Sequence, residues 1–143
     1  MKSSELHRKT KMKVVKVIIE KTKNMYSSYA DNVPGIYGGG NTVEEAKKSI
    51  LEAIRLLKEH NDKKNIPIIL KGDYIISYKY DAESFLKHYK GIFTNSALER
   101  ITGINQKQFQ HYATGLKKPR PAQAKKIQDA LHKLGSELLS VEL

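Results

Sequence analysis

Asn95–Gly115 reads NSALERITGINQKQFQHYATG, and the reading of this stretch decides how the chain is built. Leu98 and Ile101, then Ile104, Phe109 and Tyr112, recur at helical spacing and predict two short amphipathic helices. Gly103 stands where the first helix must stop, because glycine enters the left-handed conformation of a tight helix-to-helix turn without steric cost. Asn105 follows as a cap, its side-chain oxygen placed to accept from the free amides of the next helical turn. The second helix is expected over residues 106–114, ending at Gly115. With Phe109 and Tyr112 turned inward, Gln106, Lys107, Gln108, Gln110 and His111 are left facing outward or sideways. Most of that outer face can hydrogen-bond.

A plain helical hairpin needs the same apolar spacing but not this polar face. From Arg100 to Gln128 the chain carries seven Lys or Arg and no Asp or Glu. An acid-free run in a chain that elsewhere mixes signs fits a surface that approaches phosphates, where each neutralised phosphate releases counterions. The succession Thr102-Gly103-Ile104, Asn105-Gln106, then Phe109, Tyr112 and Gly115 resembles phage-repressor-like helix-turn-helix domains of the Xre or Cro type. Glu99 departs from that pattern, placing a carboxylate where such domains usually carry a small residue.

Working outward, 143 residues allow one domain or two small ones. With 39% apolar and 29% charged residues the chain can bury a core. No apolar run comes near the roughly 20 residues that span a bilayer, so no membrane partner is expected. The absence of cysteine excludes disulfides and cysteine-ligated metals and fits a cytoplasmic protein. None of the five histidines pairs at the spacing that puts two ligands on one helix face, and neither a metal nor another cofactor is expected. The net charge is +11, and residues 1–11, MKSSELHRKTK, are basic without the apolar core of a secretory signal. They are expected to form a flexible extension.

Residues 12–80 are expected to form a domain of their own. KVVKVIIE at 13–20 is short and rich in Val and Ile, which predicts a strand; residues 25–30 and 36–40 give two more, with Asp31–Gly35 as a turn. Together they read as an antiparallel meander. Thr42-Val43-Glu44-Glu45 is a capping box, and the helix behind it lines up Val43, Ala46, Ile50, Ala53, Ile54 and Leu57. Residues 66–70 are expected to be extended, and residues 74–80 alternate as a further strand. The expected fold class is α+β, a small antiparallel sheet with one packed helix followed by an all-α domain over residues 81–143. In that second domain Asp81 can cap a first helix. A last helix starting at Pro121 or Ala122 lines up Ala124, Ile127, Leu131, Leu134 and Leu138.

Val33-Pro34-Gly35, Gly38-Gly39-Gly40, Thr42-Val43-Glu44-Glu45-Ala46 and the helix over 50–57 resemble the N-terminal domain of HicB-family antitoxins across roughly residues 12–80. The chain departs in having Val33 for the usual leucine, Ile36 where the family often has cysteine, and Asn41 between Gly40 and Thr42. That domain is described as a partial RNase H-like fold. A two-metal nuclease needs carboxylates converging from separate strands and a helix. Here Glu20 stands at a strand end, Asp31 in a turn, and Glu44 and Glu45 in a capping turn, so no enzyme activity is expected.

The two resemblances together imply an antitoxin. Its sheet domain would occlude a small, basic, HicA-like RNase toxin, and its helix-turn-helix domain would repress its own operon by binding operator DNA as a dimer or tetramer. By position on the resembled motif, phosphate contacts fall to Asn95 and the amides beginning its helix, and to Thr114, Lys117, Lys118 and Arg120. Base reading falls to Gln106, Lys107, Gln108 and His111. Two other readings stay open. One is a solitary helix-turn-helix repressor whose N-terminal domain dimerises or senses a ligand, and the other an interaction protein with a degenerate motif.

Overall fold

β1 (Lys13–Lys21) is the strand on which the first half of the chain is built, in a computed structural model that describes residues 12–143. The basic extension expected over residues 1–11 lies outside the described residues. The chain divides between Asp81 and Ala82 into two units, each with its own apolar core.

In the first unit, Val15, Val17 and Ile19 of β1 point to one face and are buried, while Lys16 and Glu20 point to the other. β2 (Tyr26–Ala30) pairs antiparallel with β1 from Val17↔Ala30 to Lys21↔Tyr26, and β3 (Tyr37–Gly40) pairs antiparallel with β2. In the β2–β3 turn the Asn32 side chain prolongs the ladder beside β1, accepting from Lys16 N at 2.8 Å and donating to Val14 O at 2.8 Å. The three-stranded meander is thus present.

Helix α1 (Val43–Glu59) covers the buried face with Val43, Ala46, Ile50 and Ile54. Thr42 caps it by accepting from Glu45 N at 3.1 Å, and Glu45 reaches back one residue beyond the usual partner, to Asn41 N at 2.7 Å. The helix lies almost on the β3 backbone. Ser28 Oγ donates to Ala46 O at 2.9 Å and Ser49 Oγ accepts from Gly39 N at 3.1 Å. A Cβ on Gly38 would stand 2.8 Å from Ile50 N and 2.7 Å from Ser28 Oγ, and one on Gly40 would meet the Glu45 side chain. Gly38 and Gly40 are the imprint of that approach.

The sheet departs from expectation at β4 (Tyr74–Tyr80), which runs parallel to β1 from Lys13↔Tyr74 to Ile19↔Tyr80, so the four-stranded sheet is mixed, in the order β3-β2-β1-β4. Two antiparallel steps leave β3 pointing the same way as β1. Seventeen residues of α1, rising about 25 Å, then carry the chain back to the end where β1 begins, and a strand entered after such a crossover runs parallel. Residues 66–70 are likewise not extended. Pro67 starts a 3-10 turn at Ile68–Leu70, closed by Leu70 N donating to Pro67 O at 2.9 Å. The turn drives Leu70 into the core and leaves Ile68 78% exposed, a division that an alternating strand ending on Leu70 would not make.

The second unit is helical: α2 (Ala82–His88), α3 (Asn95–Thr102), α4 (Gln106–Ala113) and α5 (Pro121–Leu139). Leu86, Leu98, Ile104, Phe109 and Tyr112 form its core, with Phe93, Ile101 and Ile127 packed against them. Thr94, not Asn95, caps α3, accepting from Ala97 N at 3.0 Å. Gly103 ends that helix at φ +75°, in the left-handed region. Asn105 caps α4 by accepting from Lys107 N at 2.8 Å.

The close approach of α1 to β3 has a measurable consequence. Gly38→Ala is expected to lower the unfolding free energy by about 1–3 kcal/mol, the usual cost of overpacking. Gly91→Ala, where an added Cβ meets nothing within 4 Å, is the matched control and is expected to change stability little. Urea titration of both variants checks this.

Candidate nucleic-acid interface

α3 and α4 are joined by only three residues, so their outer faces meet at an angle held by the buried contact of Leu98, Ile104 and Phe109. Because Phe109 and Tyr112 are turned into the core, the opposite side of α4 presents Gln106, Lys107 and Gln110 to solvent. Asn95 and Glu99, one helical turn apart, occupy the facing side of α3.

Two side-chain hydrogen bonds cross the angle. Asn95 Nδ2 donates to Gln110 Oε1 at 3.2 Å, and Gln106 Nε2 donates to Glu99 Oε2 at 3.2 Å. Each pair joins positions four residues apart on one helix to positions four apart on the other, so the contacts stack as two rungs. With Asn105 and Lys107 these four residues line an open recess of about 370 Å³. Its lining is amide-rich, with one cation and one carboxylate.

The expected site residues fall into three groups. Asn95, Gln106 and Lys107 are brought together on the recess. Thr114, Lys117, Lys118 and Arg120 follow α4 on exposed backbone, the loop being folded back by Lys117 N donating to His111 O at 3.2 Å. Gln108 and His111 do not line the recess. Gln108 is half-buried beside Phe109, and His111 is half-buried with its Nδ1 enclosed and without a hydrogen-bond partner among the described residues. Asn95 is the first residue inside α3 rather than its cap, so its side chain is free to cross to Gln110.

Glu99, Asn105 and Gln110 are the members of the recess that the motif-based assignment of contacts omits, Asn105 being occupied as the cap of α4. The spacing holds the signal for the other two: Gln110 is one helical turn from Gln106, and Glu99 one turn from Asn95.

The electrostatics separate in the same way. No acidic residue stands in the first turn of α3, α4 or α5, where helix dipoles present partial positive charge. Lys117, Lys118 and Arg120 add exposed positive charge directly after α4. A polyanion meeting this side would find cations and free amides around the recess, and amide donors and acceptors within it.

In the sheet unit, the face away from α1 carries Ile18, Tyr29, Tyr37 and Ile75, with Tyr37 71% exposed. Tyr29 donates to Glu20 Oε1 at 3.4 Å, and its phenol is held above its ordinary pKa, first by partial loss of solvent and then by the Glu20 carboxylate. Among the described residues no group of three His, Asp or Glu is placed to hold a metal ion, and no helix is long and apolar enough to cross a membrane. Glu45 is occupied as a helix cap.

No family model, curated protein or solved structure matches this chain.

Proposed function

We propose that this chain is an antitoxin of a toxin-antitoxin pair, with the sheet unit neutralising a small HicA-like RNase toxin and the helical unit, a helix-turn-helix domain, repressing the operon by binding operator DNA. The observation that carries the DNA-binding half is the recess between α3 and α4, lined by Asn95, Gln106, Lys107 and Gln110 and followed by the exposed basic loop at Lys117–Arg120. Amide side chains pair two ways with adenine, and a lysine donates to guanine, while loop cations and helix amides take phosphates. The resemblance of residues 12–80 to HicB N-terminal domains supports the toxin-binding half. The exposed Tyr37 and Ile75 on the sheet's outer face are suited to a protein partner.

A second copy of the chain completes the operator-binding form. Ala124, Ile127, Leu131, Leu134 and Leu138 follow one another at alternating spacings of three and four, the pattern of a helix seam. Ile127 is packed in the core, but Leu138 is 60% exposed, so the far end of the seam is uncovered in one chain. Lys126 stands near the start of α5 and Glu137 near its end, while Lys125 is paired within the helix with Asp129 at 2.9 Å. An antiparallel pair would bring Lys126 of one helix toward Glu137 of the other.

Three measurements test this reading. Expressing the neighbouring gene product in a host is expected to arrest growth, and co-expression of this chain to restore it with the two proteins co-purifying. If no neighbour is toxic, the reading reverts to a solitary repressor. On DNA, Gln106→Ala and Lys107→Ala are expected to lose about 1–3 kcal/mol on the operator and little on random duplex. Lys118→Ala is expected to weaken both and to reduce the salt slope by about one. Equal losses on both duplexes for all three variants would refute the assignment. Leu138→Glu is expected to give a monomer by light scattering that keeps its helical circular dichroism, with a melting temperature that no longer depends on protein concentration and an operator affinity lower by about 10² or more, because linked half-sites are lost.

A further inference from the structure

Glu99 stands in a recess offered to nucleic acid, where its charge opposes phosphate, and its one hydrogen bond there is to Gln106. A carboxylate only accepts hydrogen bonds, so the Gln106 amide has a single way to face it, with Nε2 toward Glu99 Oε2 at 3.2 Å. One of the two Nε2 hydrogens is thereby used. What Gln106 still offers outward is one donor and the acceptor Oε1. Adenine presents the complement of that pair in the major groove, an acceptor at N7 and a donor at N6, whereas guanine presents two acceptors. A free glutamine can turn its amide over and offer both hydrogens to guanine. One held by a carboxylate cannot do so without breaking the contact.

From this we infer that Glu99 is a specificity-determining positioning residue, which locks the Gln106 amide in the orientation that reads adenine and rejects guanine. The inference rests on the DNA-binding reading of the recess. Glu99 acts through Gln106 and need not touch the duplex. Its place on α3 suits the task, since Asn95 one turn earlier holds Gln110 in the neighbouring rung and keeps the two helices' side chains in register.

The experiment is a selection from a pool of randomised duplexes, carried out with the full chain and with Glu99→Gln, Glu99→Ala and Glu99→Lys. Thermal melts of each variant establish that the fold is kept. The unaltered chain is expected to recover a consensus containing an adenine that Gln106→Ala makes degenerate. Glu99→Gln can accept from Gln106 or donate to it, so it holds the amide in neither orientation alone, and discrimination is expected to fall between that of the unaltered chain and that of Glu99→Ala. Glu99→Ala releases the amide, and discrimination of adenine from guanine at that position is expected to fall about tenfold. Glu99→Lys supplies a donor, so Gln106 turns its Oε1 inward and both hydrogens outward, and the preference at that position is expected to switch to guanine. A role in helix packing alone would lower stability or affinity without changing one letter of the consensus. If Glu99→Ala and Glu99→Lys select the same consensus with the same discrimination as the unaltered chain, the inference is overturned and the DNA-binding reading stands. If the unaltered chain recovers no consensus at all, both fall.

Discussion

The burial of Phe109 governs the helical unit. Its ring has no exposed surface, meets Tyr112 edge-on at 6.2 Å, and packs with Leu98 and Ile104 across the α3–α4 turn. Emptying such a site costs about 3–5 kcal/mol, a large share of the stability of a small domain. α4 therefore has little freedom to rotate about its axis. Once Phe109 is in the core, the positions on the far side are settled by helical geometry alone, and these are Gln106, Lys107 and Gln110. The polar recess is the outer surface of an apolar contact.

A comparable constraint runs through the sheet unit. α1 can bury Val43, Ala46, Ile50 and Ile54 only by lying against the sheet, and over β3 it comes so near that side chains there are excluded. The apolar burial on one side and the glycine backbone on the other belong to one packing solution. β4 then closes the far edge, with Ile76, Tyr78 and Tyr80 turned toward the core and Lys47 Nζ lying 4.2 Å from the Tyr78 ring centre. Burial pushes the Tyr78 phenol above its ordinary pKa, consistent with an aromatic body packed in the core.

What the sequence made legible was whatever depends on residues close together in the chain. The capping box at Thr42–Glu45, the left-handed Gly103, the Asn105 cap and the inward pair Phe109 and Tyr112 each depend on neighbours within about one helical turn, and each is present. The parallel pairing of β4 with β1 joins Lys13 to Tyr74 and leaves no local trace, because a strand's alternation is the same in either direction. Residues 66–70 look strand-like by composition, yet Pro67 and the demand for Leu70 in the core turn them into a 3-10 bend. At the start of α3, Thr94, Asn95 and Ser96 are all competent caps, and local preference does not choose among them. Gln108 was assigned to base reading by its place in a motif, but on the helix it stands nearer the buried face than Gln110 does. The helical wheel places Gln110 on the exposed side with Gln106, a position that the motif does not single out.

Affinity and selectivity for an anionic duplex make opposite demands on a surface, and on the DNA-binding reading proposed above they would fall on different residues of the helical unit. The exposed cations between Lys117 and Arg120 lie on a loop, where charge acts over roughly the 8 Å Debye length of physiological salt and needs no fixed geometry. The recess lies on two helices whose side chains are tied to each other, which suits contacts that work only at hydrogen-bond range. Glu99 marks the boundary between the two. Its charge subtracts one unit from a strongly basic neighbourhood, a small and screened loss, while on that reading its hydrogen bond would remove an ambiguity that an amide facing a base edge otherwise keeps. A carboxylate in such a recess is costly if only affinity matters, and useful if the orientation of Gln106 has to be fixed before any base arrives.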